Sequence, residues 1–200
     1  MARVYEFQGV VPVIDPTAFV HPDAVLIGDA IVGPGAFVGP CAVLRGDFGR
    51  LVVGAGANIQ DNCVVHGFPD WDTTIEEDGH VGHAAIIHGA IVRKNALVGM
   101  GATILDFAEI GESAIVAAQA LVPANTKVPP RTLWAGVPAR QIRPLKDEDV
   151  EWKRAGTRDY QNLARLCLET LKPAKPLAAI EPGRKRTDAC SAPAKFQTKG

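Results

Sequence analysis

Large side chains are scarce in this chain: aromatic residues make up only 6% of 200, and there are two methionines. A core built on big rings is therefore excluded. Charge is balanced, with 21 basic against 22 acidic residues, which gives no basic footprint for nucleic acid and no membrane-seeking surface. No apolar run approaches the roughly 18 to 20 residues of a membrane span, and no charged-then-apolar leader opens the chain. The four cysteines, Cys41, Cys63, Cys167 and Cys190, form no Cys-x-x-Cys pair, so neither a disulfide framework nor a zinc ribbon is indicated. The expected compartment is the cytoplasm. What is abundant is turn chemistry, with 20 glycines and 15 prolines.

Repetition explains that composition. Stepping by six from Ile14 gives Ile14, Val20, Leu26, Val32, Val38 and Leu44, and four residues after each of the first five stands an alanine: Ala18, Ala24, Ala30, Ala36, Ala42. The beat resumes at Val53, Ile59 and Val65, and again at Ile86, Val92, Val98, Ile104, Ile110, Val116, Val122 and Val128. Neither a helix nor an ordinary strand has that period. It predicts a solenoid of short parallel strands, three per coil of about 18 residues, with the aliphatic residue inward and the small residue at the bend. Glycines such as Gly33, Gly39, Gly99 and Gly111, one residue past the aliphatic, are expected to supply turn conformations that a β-carbon resists. Pro129 and Pro130 are expected to end the solenoid, Trp134 to Arg140 to form a turn, and about Asp147 to Leu171 to form a helix with Asp147 as N-cap. The expected organisation is a β-helix over 1–145 with a loop insertion at 67–79, a helix over 146–171 packed on it, and a flexible tail over 172–200.

The beat slips twice, between Leu44 and Val53 and between Val65 and Ile86, and the second slip has room for a loop containing Asp70, Trp71, Asp72, Glu76, Glu77 and Asp78. Insertions in solenoids bulge from one face. If the first slip is a local bulge, Arg45 stacks near His66, and His88 falls on the same face one coil on. His83 precedes His88 by five residues, across a turn, and faces elsewhere. Two converging imidazoles and a third pointing away suit a metal whose third ligand comes from a neighbouring chain. Three imidazoles leave one position of a zinc ion open for water and lower that water's pKa. Arg45 and Asp47, with Asn58, Gln60 and Asp61 nearby, are placed to orient the imidazoles and the bound hydroxide. His21 reads as structural, and nothing in the register asks His80 to be a ligand.

Arg45-Gly46-Asp47, Asn58-Ile59-Gln60-Asp61-Asn62, His66, Gly82-His83 and His88-Gly89 resemble the γ-carbonic anhydrase family over about residues 10 to 171. The resemblance implies a left-handed parallel β-helix followed by a C-terminal α-helix, and a homotrimer with interfacial Zn2+, or Fe2+, sites. His66 and His88 would come from one subunit and His83 from the next. It also implies an Arg45–Asp47 ion pair, Gln60 in contact with the metal-bound water, and Tyr160 reaching the site. His66-Gly67-Phe68-Pro69, Asp78 to His83, Trp152-Lys153, Tyr160-Gln161 and Glu181 to Arg186 are similar to the branch of that family associated with phenylacetate degradation. For that branch the implied activity is hydrolysis of acyl-CoA by-products. Phe48 stands where the prototype carbonic anhydrase carries a catalytic glutamate, and its acidic proton-shuttle loop has no clear counterpart here. Four functions are therefore compared: a zinc-dependent acyl-CoA thioesterase, a γ-type carbonic anhydrase acting on CO2, a hexapeptide acyltransferase, and a non-catalytic accessory protein. The Gly136 to Ala139 segment resembles the acyltransferases, which need one histidine rather than three.

Overall fold

The computed structural model describes residues 2–189. Short parallel strands wind into a three-faced, left-handed β-helix, followed by one helix, Asp147–Thr170. One face carries Phe19–Val20, Phe37–Val38, Asn58–Ile59, His80–Val81, Leu97–Val98 and Ile115–Val116 in parallel register. The other two faces are joined into one sheet because Val25–Val32 and Val43–Val53 run through the corner between them. Leu26, Val32, Val38, Leu44, Val53, Ile59 and Val65 are inward and buried, as are Val92, Val98, Ile104, Ile110, Val116, Val122 and Val128. The corner alanines are buried beside them, since only a methyl fits where two walls meet.

The slips resolve into three changes of coil length. In the first coils Val13 faces Ile31 and Val25 faces Val43, eighteen residues on. Val43 faces Val64, twenty-one on, because a bulge at the Gly46–Gly49 level lets Gly28 pair with Gly46 while Ala30 pairs with Leu51. The second insertion is shorter than the expected 67–79 loop. Thr73–Ile75 is already a strand and His80–Val81 another, so the excursion is confined to residues 67–72, pinned by a Phe68–Trp71 bridge.

The third change was hidden. Ile86, expected inward, is 42% exposed, and Ile87 is the fully buried residue. Counting back from Val92 places Ile86 in the core, but the stretch from Ile87 to Val92 is one residue short of a unit, and the turn there closes through Gly89 at φ +56. His88 consequently follows its inward residue by one, as His66 follows Val65.

The glycines also work differently from expectation. The left-handed turn residues are such positions as Gly35, Gly56, Asn62, Asp78, Asn95 and Asn125. Gly99 and Gly111 have no positive φ; a β-carbon there would lie 2.4 Å from Ala118 N and 2.6 Å from Pro130 N. They are glycine because the next coil passes too close.

The solenoid does not stop at Pro129-Pro130. Thr132–Gly136 adds one more strand beside Ile115–Val116 and then turns at Val137-Pro138 into antiparallel Ala139–Pro144. The N-cap is Lys146 rather than Asp147, and the Asp149 carboxylate accepts the Lys146 N–H at 3.0 Å. The helix runs back along the face that carries Phe19–Val20 to Ile115–Val116, with Val150 packed near Ile115 and Leu145, and Tyr160, Leu163 and Ala164 against Phe19 and Phe37. Residues 172–189 form no helix or strand, and the rest of the expected tail, with Cys190, lies outside the described residues.

Candidate metal centre and adjoining cavity

The register stacks Arg45 on His66 and His66 on His88 in three successive coils. The bulge returns Asp47 to this column, where its carboxylate accepts from Arg45 Nη1 (2.7 Å) and from His66 Nε2 (3.0 Å). His88 Nδ1 is held by Asp106 Oδ1 at 2.5 Å. Each carboxylate accepts the N–H of one ring nitrogen, which leaves the other nitrogen of a neutral imidazole with a lone pair. Those two free nitrogens, His66 Nδ1 and His88 Nε2, face each other at 3.0 Å. Two lone pairs so placed repel unless a cation lies between them. Tetrahedral zinc with bonds of about 2.0–2.1 Å would hold its nitrogens about 3.3 Å apart, so this donor pair fits such an ion.

Burial lowers the His66 pKa, an effect that the Asp47 bond opposes, so the imidazole favours its neutral, ligating form. Burial acts to raise the Asp47 pKa, but the bonds from Arg45 and His66 outweigh it and the carboxylate titrates below its usual range. Phe48, 63% exposed, lies with its ring 5.2 Å from that of His66.

His83 sits at a different corner of the prism, after His80–Val81, with its Nδ1 on Asp61 at 2.6 Å and its Nε2 3.4 Å from the Tyr160 hydroxyl. Among the described residues of one chain no group of three or more His, Cys, Asp or Glu side chains is arranged to hold a metal. Beneath His83 lies a buried amide relay. Gln60 Nε2 donates to Asn58 Oδ1 (3.0 Å) and to His80 Nε2 (2.6 Å), and its Oε1 accepts the His83 backbone N–H (3.2 Å). Both Gln60 protons are thus used, and one lone pair of Oε1 is left to reach outward.

Two members of this arrangement were missed from sequence. His80 is held neutral, its pKa pushed down to about 3 mainly by burial and also by Lys153, and it fixes the Gln60 amide. Asp106 stands eighteen residues after His88, so a step of one coil length would have found it. Glu76, Glu77 and Asp78 are tied to Arg93, Lys94 and Gln161 respectively.

A hexapeptide-repeat β-helix carrying carboxylate-backed histidines defines a γ-carbonic-anhydrase-like protein. No family model matches the chain. The carnitine operon protein CaiE of Escherichia coli K12 is 52% identical over 182 residues, covering 91% of this chain and 93% of CaiE. The chain belongs to the CaiE family of hexapeptide-repeat proteins. Among solved structures, a Bacillus cereus protein described as a candidate acetyltransferase is 36% identical with a TM-score of 0.81, over 82% of this chain and 95% of that one. A hexapeptide transferase family protein from Anaplasma phagocytophilum is 37% identical with a TM-score of 0.79, over 82% of this chain and 96% of its own. The fold is therefore shared with proteins assigned to acyl transfer. No helix among the described residues is long and apolar enough to cross a membrane.

Proposed function

We propose that the protein is a metal-dependent acyl-CoA thioesterase of the PaaY-like kind, acting on acyl-CoA by-products of phenylacetate degradation. It would work as a homotrimer, with His66 and His88 of one copy and His83 of the next holding Zn2+ or Fe2+. The observation that carries this reading is the pair of facing ring nitrogens, His66 Nδ1 and His88 Nε2, 3.0 Å apart, with each ring held by a carboxylate on its far side. His83 has the same construction through Asp61. When bound, the metal would supply a Lewis acid and lower the pKa of a coordinated water.

The chain's own residues do the rest. Asp47, Asp61 and Asp106 orient the three rings, Arg45 holds Asp47, and the Asn58–Gln60–His80 relay aims the remaining Gln60 lone pair outward. Thioester hydrolysis adds water across the acyl C–S bond, giving a carboxylic acid and a thiol. Because thiolate leaves readily, little acid assistance is required. That suits a site where Phe48 replaces a carboxylate and the nearby glutamates are committed to ion pairs. A second reading, acyl transfer to an acceptor, is favoured by the transferase assignments of the solved relatives. It differs in needing an acceptor before thiol is released, whereas a γ-type carbonic anhydrase would hydrate CO2 fast.

Mixed chains provide the test. His66→Ala and His83→Ala are each expected to lose bound metal and thiol release. Unfolded together and refolded in equal amounts, they should regain about a quarter of both, since random pairing restores that share of interfaces. Recovery of neither would refute the shared site, and thiol release that survives in His66→Ala would refute the metal mechanism.

A further inference from the structure

A cavity of about 740 Å³ lies between the C-terminal helix and the outer side of the face that carries His80–Val81, Leu97–Val98 and Ile115–Val116. One end is formed by His83, Gln60, His80 and Tyr160. The walls leading away are Leu97, Ile115 and Leu133 from successive strands, opposed by Trp152 of the helix. From the His80 strand to the Leu133 strand is three coil steps, about 14 Å at the usual spacing of parallel strands. Apolar surface dominates the lining, and Met100 stands at the mouth, 56% exposed.

We propose that this groove is the acyl pocket, and that it selects an aryl or medium-length aliphatic acyl group rather than acetyl. The proposal rests on the thioesterase reading and deepens it. A phenylacetyl group or a chain of several carbons fits along 14 Å, whereas acetyl would leave most of the walls bare.

The other elongated part of the substrate, the pantetheine arm, carries two amides that need partners. Three backbone donors of this wall are already used: Gly82 N–H bonds Val98 O, Gly99 N–H bonds Val116 O and Ala117 N–H bonds Trp134 O, at 2.8 Å each. Burying two amides here without partners would be costly, while burying hydrocarbon is favourable. The groove begins at His83 and the Gln60 relay, so an acyl chain lying in it presents its carbonyl end to those residues and leaves the thiol arm outside.

The experiment compares the metal-loaded parent protein with Leu97→Trp, which fills the middle of the groove, and Met100→Trp, which narrows its mouth. Phenylacetyl-CoA and acetyl-CoA are assayed for thiol release, and a non-hydrolysable phenylacetyl-CoA thioether is titrated by calorimetry. The ratio of kcat/KM for phenylacetyl-CoA over acetyl-CoA is expected to fall about tenfold or more in either variant, with thioether affinity falling in parallel. An unchanged ratio and affinity in a variant that folds like the parent would overturn the groove assignment while leaving the thioesterase reading intact. If the parent released no thiol from any acyl-CoA, that reading would fail. The groove would then stand or fall on calorimetry: thioether binding weakened by Met100→Trp upholds it, and absence of binding to the parent overturns it.

Discussion

Asp106 and Lys153 show how single residues here are defined by what lies one coil away. Asp106 fixes the proton of His88 on Nδ1 and leaves Nε2 free. Asp106→Asn is expected to weaken metal binding about 10- to 100-fold, as judged by competition with a chelator; unchanged affinity would mean that the orientation is held by something else. Lys153 is 2% exposed and bonds the Asp78 carbonyl and Asn95 Oδ1, and Asn95 in turn donates to Ser113. Burial pushes its pKa down to about 7. Between that value and the ordinary lysine range the unfolded chain binds more protons than the folded one, so stability rises with pH. Denaturant titrations should show unfolding free energy climbing from about pH 7 to 10, by up to ~1.4 kcal/mol per pH unit. Lys153→Met should flatten that slope. At Gly46 a β-carbon would lie 2.5 Å from the Asp29 carbonyl oxygen. Gly46→Ala should therefore cost about 1–3 kcal/mol and disturb the Arg45–Asp47 pair.

Among the elements, the C-terminal helix illustrates local preference yielding to packing. Gly156 sits in its middle, where propensity argues for a break. The helix continues because Val150, Lys153, Thr157 and Ala164 are buried against the solenoid on a single stripe. No neighbouring atom lies within 4 Å of a β-carbon added at Gly156. Gly156→Ala should stabilise the protein by about 0.5–1 kcal/mol in thermal or urea unfolding; a loss instead would place a neighbour against that face. The bulge at 46–49 is the second element with a function. It adds three residues without moving Leu44 out of register with Val65, and so delivers Asp47 to His66.

At the scale of the whole molecule, the solenoid is stabilised coil by coil, and among the described residues the helix ties distant coils together. It covers Phe19 and Phe37 at one end and Ile115 and Leu133 at the other. A chain truncated after Leu145 would expose this apolar strip together with buried Asn58, and it is expected to aggregate on size-exclusion chromatography. A monodisperse truncated protein with unchanged thermal stability would show that the helix is dispensable for the fold.

Much of this was legible in the sequence because a six-residue period is a local property. Each inward aliphatic and each corner alanine is dictated by the space inside its own turn, and so the prism, most of its core and the Arg45–His66–His88 column could be read by counting. Contacts between coils depend on the running sum of insertions and deletions. One missing residue between Ile87 and Val92 was enough to misplace Ile86. The roles of Gly99 and Gly111 emerged only when the backbone of the following coil was in place. Asp106 on His88, the His80–Gln60 relay and the groove under Trp152 are decided by tertiary structure, since they join residues separated by one to several coils and by the returning helix.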